Sequence, residues 1–180
     1  YDHLGTLYNL AVHHIDQVVS LFGIPDRTRF DVRSIHHPGR GDDYYDLDFF
    51  YGPLKATVST SMCVQIDYPA YTLHGTNGSF TLPPALHNSA KTKQVGRHSI
   101  SVAAAPEDRW GTLVYLSGGH TLTEKVAVGP AHYERIYDSL VAAIEQGTEK
   151  CVRDEETVCV LDMLEAATRV AASHAGPPPK

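Results

Sequence analysis

A chain of 180 residues, 42% apolar and 20% charged, has the composition of an ordinary globular protein and the length for one well-buried core rather than two. Its formal charge of -6 at neutral pH gives no electrostatic reason to bind a phosphate backbone, which argues against nucleic acid as a partner. The three cysteines, Cys63, Cys151 and Cys159, are odd in number and far apart, which argues against a disulfide framework or a paired-cysteine zinc site and favours a reducing, cytoplasmic compartment.

Residues 1–23 read as a first helix. Leu7, Leu10, Ala11, Ile15, Val18 and Phe22 recur at three- and four-residue steps and form one stripe, while Asn9, His13, Asp16, Gln17 and Ser20 lie on the other side. Gly23 and Pro25 stop the helix, because glycine tolerates a left-handed cap and proline cannot continue the ladder. Residues 27–128 read as strands and loops. Segment 28–35 carries β-branched and aromatic content, and 44–51 with 54–62 makes a hairpin about Gly52-Pro53. His36-His37-Pro38-Gly39-Arg40-Gly41-Asp42-Asp43 breaks the chain between the first two strands. A second hairpin, 71–75 with 79–82, turns at Thr76-Asn77-Gly78, where Asn-Gly tolerates positive φ. Residues 83–109 show no sustained period and read as a long surface excursion, and 121–128 alternates as a last strand.

Two helices close the chain within 131–174. The first, from about residue 131 to 145, aligns Tyr133, Ile136, Tyr137, Leu140, Ala143 and Ile144; the second, from about 154 to 173, aligns Val158, Leu161, Leu164, Ala167, Val170 and Ala171. Asp154, Glu155 and Glu156 put negative charge on the first turn of the second helix, where the backbone dipole favours it. The proline-rich tail 175–180 cannot be helical and is expected to fray. Strands in a run followed by helices in a run indicate an α+β fold, a single domain over residues 1–180 with a mostly antiparallel sheet and helices packed on one face. The open face then needs cover. Tyr44, Tyr45, Phe49, Phe50 and Tyr51 supply aromatic area either for the core or for an interface between copies of the chain. No basic-then-apolar leader and no apolar run of about 20 residues is present, so no membrane span is expected. The chain starts at Tyr1 without methionine, and is expected to be a piece of something longer.

The segment Gly5-Thr6-Leu7-Tyr8-Asn9-Leu10-Ala11-Val12-His13-His14-Ile15-Asp16-Gln17-Val18-Val19-Ser20-Leu21-Phe22-Gly23-Ile24-Pro25 resembles the opening helix of the C-terminal domain of the glucose–fructose oxidoreductase, inositol dehydrogenase and MocA family. The turn His74-Gly75-Thr76-Asn77-Gly78-Ser79-Phe80, the segment Pro106-Glu107-Asp108-Arg109-Trp110-Gly111-Thr112-Leu113 and the run His132-Tyr133-Glu134-Arg135-Ile136-Tyr137 extend the likeness, so that it spans nearly the whole chain. The resemblance implies an NAD- or NADP-dependent oxidoreductase of a sugar, polyol or related hydroxyl compound. A separate Rossmann domain of the parent protein would bind the cofactor, and the present domain would supply the substrate site and a homo-oligomer interface on its open sheet. This chain has no complete glycine-rich phosphate loop, since Gly39 and Gly41 lack a third glycine and a following helix. The family's Glu-Lys-Pro segment is also missing. The isolated chain is therefore expected to bind no dinucleotide and to be inactive alone; the alternative is a non-catalytic binding or dimerisation module derived from such an enzyme.

In that family an aspartate and a histidine four residues apart on the first helix address the reacting carbon. His13 matches the histidine, and an imidazole with an ordinary pKa near ~6.5 can take a hydroxyl proton as a carbonyl forms. Asn9 stands where the aspartate is usual; it can orient a hydroxyl but cannot accept a proton. Asp16 lies one turn beyond His13 and is a further candidate for binding substrate. His14 lies toward the apolar stripe and reads as a packed, hydrogen-bonded histidine. The chain has 11 histidines, which raises a metal reading, but adjacent histidines on a helix point about 100° apart and cannot easily share one ion. No metal is expected.

Overall fold

The computed structural model describes residues 5–36, 41–84, 92–95, 98–101, 110–129, 132 and 134–174. The chain divides into two compact units, Tyr1–Gln65 with Glu134–Lys180, and Ile66–Tyr133. Residues 37–40, the quoted motif at 106–109, Tyr133 and the tail 175–180 lie outside the described residues.

The first unit packs helices against one face of a three-stranded sheet. Strand β1 (Arg27–Arg33) pairs antiparallel with β2 (Tyr44–Tyr51), which pairs antiparallel with β3 (Leu54–Ser61) across the expected Gly52-Pro53 hairpin. Alternation along central β2 sends Tyr45, Leu47 and Phe49 into the core, all fully buried. They meet Leu7, Ala11, Ile15, Val18 and Val19 from the N-terminal helix and Val160, Met163, Leu164 and Ala167 from the last helix. Burying a side chain of this kind contributes about 1.5–3 kcal/mol, so this cluster dominates the unit's stability.

The other face of the same sheet is polar. Asp48 is 7% exposed, yet its carboxylate accepts a hydrogen bond from Thr57 at 2.8 Å and pairs with Lys55 at 2.7 Å. Burial pushes its carboxyl upward, but Lys55, Thr57 and the nearby Arg29 more than reverse this and hold it below its usual value. Arg27 lies 3.7 Å from the centre of the Phe50 ring, a cation over an aromatic face. The β2 aromatics therefore divide: Tyr45 and Phe49 fill the core, Tyr51 packs partly against it, and Phe50 sits under Arg27.

The N-terminal helix departs from a plain 3.6-residue repeat. Its first turn, Leu7–Ala11, is π-helical and runs into α1, Val12–Phe22. The wider turn breaks the phase of the apolar stripe, so Leu10 is 40% exposed and Val19 is buried. Neither Thr6 nor Ala11 caps the helix with its own side chain; instead Asp42, from the segment leading into β2, accepts from the Leu7 backbone N–H at 2.6 Å and the Thr6 hydroxyl at 2.8 Å. Gly5 makes room for this, since a Cβ there would stand 2.0 Å from an Asp42 carboxylate oxygen.

Helix α2, Glu134–Gln146, forms as expected but has no buried residue. Ile136, Tyr137, Leu140 and Ile144 are all exposed, so its apolar stripe does not face the core. Periodicity shows that a helix has an apolar side but not what covers it. Helix α3, Asp154–His174, buries Leu164 and Ala167 as expected, with Val160 and Met163 in place of Val158 and Leu161, which are exposed.

The second unit is a four-stranded antiparallel sheet in the order β4-β5-β8-β9, with a separate hairpin of β6 and β7. Strands β4 (Tyr71–His74) and β5 (Gly78–Leu82) form the expected hairpin, and β9 (His120–Val126) is the expected last strand. Strands β6 (Thr92–Val95) and β7 (His98–Ser101) pair within what reads as an irregular excursion. Strand β8 (Gly111–Ser117) occupies residues that composition alone leaves unassigned. Its Gly111 is needed, because a Cβ there would stand 2.2 Å from the Phe80 ring. The α+β class and the antiparallel pairing hold, with the strands shared among three sheets rather than joined in one.

Loss of a helix cap costs about 1–2 kcal/mol. Asp42→Ala is expected to lower stability by that amount and Asp42→Asn, which retains an acceptor oxygen, by less. Urea unfolding followed by circular dichroism measures both; equal losses would show that the carboxylate does not act as the cap.

Candidate functional site

The strip of interest runs along α1 and the π-helical turn before it. Asn9, His13 and Asp16 are all exposed, and three- and four-residue steps keep such side chains near one another on a helix. None of the three makes a hydrogen bond or ion pair with another described residue. The opposite side of the helix is fixed by Leu7, Ala11, Ile15, Val18 and Val19 in the core and by Asp42 at its start. The scaffold thus presents an imidazole, an amide and a carboxylate to solvent from a well-anchored helix.

His14 is half-buried, and its Nδ1 lies 2.7 Å from the Tyr45 hydroxyl. The two rings are 6.2 Å apart at an angle of 58°. Desolvation lowers the His14 pKa, and the neighbouring His13 charge lowers it further. Burial pushes the Tyr45 phenol up to about 12, with a hydrogen bond from Thr60 opposing and the Asp42 charge adding to the rise. Both shifts favour the neutral forms, between which the hydrogen bond can form.

The site is an open strip rather than a pocket. Shallow depressions of about 350 Å³ beside Thr148–Asp154 and about 300 Å³ around the β4–β5 turn lie elsewhere, and neither includes Asn9, His13 or Asp16. Among the described residues no three histidine, cysteine or acidic side chains are placed to hold a metal ion, and no helix is long and apolar enough to cross a membrane. The helix N-termini are also poor phosphate sites. Asp42 occupies the start of the first helix, Glu134 stands in the first turn of α2, and Asp154, Glu155 and Glu156 fill that of α3.

Sequence reasoning overlooked Asp42 and Tyr45 as supports of this strip. Asp42 lies in a segment read only as a break, and Tyr45 in a run of aromatics. Their contacts span 35 and 31 residues of chain, beyond the reach of any local signal.

Residues 2–177 match a family described as "Oxidoreductase family, C-terminal alpha/beta domain". The chain is 35% identical over 162 residues to the uncharacterized oxidoreductase YhhX of Escherichia coli strain K12, covering 89% of this chain and 47% of that protein. It is 29% identical over 165 residues to the scyllo-inositol 2-dehydrogenase (NADP(+)) IolW of Bacillus subtilis strain 168, covering 91% and 46%. The Bacillus subtilis yvaA structure superposes with a TM-score of 0.80 at 28% identity, over 94% of this chain and 49% of that one. The chain spans about half the length of the curated relatives it matches.

The His14 pKa is depressed below its ordinary value of 6.5, so the unfolded chain binds that proton more readily than the folded one. The contribution of neutral, buried His14 is complete above that value and is lost as pH falls toward the lower folded value. The urea midpoint is expected to drop as pH falls below 6.5, and His14→Leu to shallow that drop. An identical pH dependence in the variant would remove His14 as its source.

Proposed function

The chain belongs to the glucose–fructose oxidoreductase, inositol dehydrogenase and MocA family by its C-terminal alpha/beta domain, and on that premise we propose that it is the substrate-binding and oligomerisation part of an NAD- or NADP-dependent oxidoreductase acting on a sugar, polyol or related secondary alcohol. The observation that carries this reading is the placement of His13 on the exposed side of a helix whose other side is locked in the core. His13 would take the hydroxyl proton as the carbonyl forms, Asn9 would orient a neighbouring hydroxyl by donating or accepting, and Asp16 would accept from another. Polyol recognition suits such a row of short polar groups. The relative IolW, a scyllo-inositol 2-dehydrogenase (NADP(+)), supports this substrate class.

Among the described residues the helix starts do not fit a dinucleotide phosphate, because they carry carboxylates where it would need bare N–H groups. The hydride acceptor, a nicotinamide, would be held by a Rossmann domain outside this sequence. That domain would also close the open strip, since small-molecule sites are concave and exclude water. Asn9 favours the second reading, a non-catalytic module, to the extent that a carboxylate is required there.

A surface for self-association lies on the four-stranded sheet. Register places Tyr71, Leu73, Phe80, Leu113, Tyr115 and Leu122 on one face, and Tyr71, Leu73 and Leu122 are 39%, 49% and 40% exposed. A face of this kind on a soluble protein usually has a partner, and the family's open sheet makes a second copy the natural one.

Titration of the isotopically labelled chain with scyllo-inositol and with glucose should shift the Asn9, His13 and Asp16 signals, and NADPH should shift none. In a protein that includes the Rossmann domain, His13→Ala should lower turnover by about 10²-fold or more; unchanged turnover removes His13 from the mechanism. Light scattering at tens of micromolar should give a dimer or larger that Leu73→Glu with Leu122→Glu converts to monomer. A monomeric wild-type chain would count against the interface.

A further inference from the structure

The helix carrying His13 meets the sheet and α3 through aliphatic side chains: Leu7, Ala11, Ile15, Val18 and Val19, with Val12 partly buried beside them. Such contacts are non-directional and resist separation far better than they resist rotation or sliding. A hydrogen bond is directional and weakens steeply when bent. His14 to Tyr45 is a side-chain hydrogen bond from the middle of α1 to the sheet, and the Tyr51 hydroxyl donates to the Gly23 carbonyl at the C-terminal end of the helix. One end of the His14 bond is on the helix, and the other belongs to a ring with no exposed surface, flanked across the strands by Val32 and Thr60. A polar pair inside an apolar interface fixes register, which is the best-attested use of such pairs.

We propose that His14 is a positioning residue, which through its hydrogen bond to Tyr45 fixes the rotation of α1 about its own axis and so the direction in which the adjacent His13 imidazole leaves the helix. Consecutive residues project about 100° apart, so a helix turned to suit His14 has no further freedom to aim His13. Tyr45 is also hydrogen-bonded to Thr60; the proposal assigns the Tyr45 proton to Nδ1 of His14, which puts the His14 proton on Nε2. The groups that act on this pair are His13 from the same helix, Asp42 from the segment before β2 and Thr60 of β3; α3 presents Val160, Met163, Leu164 and Ala167 to the shared core, with Cys159 and Ala171 partly buried against it. The functional weight of the inference rests on the reading of His13 as the proton-transfer group. The geometry itself requires no substrate.

The test is nuclear magnetic resonance of the histidine rings and the α1 amides in the ligand-free chain, with residual dipolar couplings to report orientation. The wild-type protein should show His14 as one tautomer, protonated on Nε2. Tyr45→Phe, which keeps the ring and removes the oxygen, and His14→Leu, which keeps the bulk, should both change the α1 couplings and the His13 resonances. His14→Gln, which restores an acceptor for Tyr45, should return both toward the wild-type values. A merely space-filling role would leave Leu and Gln equivalent, and that result, or unchanged couplings in folded Tyr45→Phe, overturns the proposal. Should the variants not fold, the wild-type tautomer decides, because a mixture of His14 tautomers is incompatible with a fixed Tyr45 donor. A failed polyol titration would sink the proposed function and leave this orientation result standing, since no ligand enters the measurement.

Discussion

The register of strand β2 is the constraint from which the helical unit follows. With a side-chain period of two, Tyr45, Leu47 and Phe49 face the helices while Asp46, Asp48 and Phe50 face away, and a slip of one residue would exchange the two sets. Such an exchange would bury two carboxylates in an apolar core. Cross-strand pairs hold the native register from the polar side: Asp46 accepts from Ser59, and Asp48 accepts from Thr57 and pairs with Lys55. Because Asp42 lies just before β2 in sequence, the register also sets where its carboxylate meets the start of the N-terminal helix. The same strand then meets that helix again at His14 through Tyr45. One strand therefore fixes both the height and the rotation of the element that carries the candidate chemistry.

Much of this was legible in local pattern. The Gly52-Pro53 and Asn77-Gly78 turns predict hairpins that the structure contains, and the acidic first turn of α3 marks where that helix begins. What local pattern did not show has a common cause, namely that it is decided by residues distant in sequence. The π-helical turn has no composition of its own, so the exposure of Leu10 could not be read from spacing. In α3 the apolar residues Val158, Val160, Leu161, Met163 and Leu164 occupy more than one side, and packing selects Val160, Met163 and Leu164. Helix α2 shows the limit most plainly, since its stripe is clear and yet none of it is buried within the chain. Strand β8 is a different matter. Its Val114, Tyr115 and Leu116 carry β-branched and aromatic content, a usable signal that the resemblance to a family loop obscured.

The two sheets solve the problem of an uncovered face in opposite ways. The three-stranded sheet covers its outer face with its own long side chains, Arg27 over Phe50 and Lys55 over Asp48, which lets charged heads stay in water while their stems shield the strand. The four-stranded sheet leaves Leu73 and Leu122 bare. A sheet dressed with its own cations gains little from a partner, whereas one exposing aliphatic side chains gains about 25 cal/mol for each Å² of apolar surface it buries. Any stable association is thus more economically built on the second sheet than on the aromatic-rich strand that first suggests it.

The same separation of anchoring from contact governs α1. Its buried side is fully committed, with Asp42 closing the first turn and His14 bonded inward, so its outer side can lose or change a residue without loosening the fold. Asn9 in place of an aspartate is therefore a change of chemistry rather than of architecture. It keeps hydrogen-bonding capacity and removes a charge that would otherwise compete for the proton or stabilise an imidazolium. With His14 bonded inward, the strip offers the His13 imidazole and the Asp16 carboxylate, one helical turn apart. An imidazole so placed stands open to water on a rigid support, and the helix is a fixed point rather than a movable one.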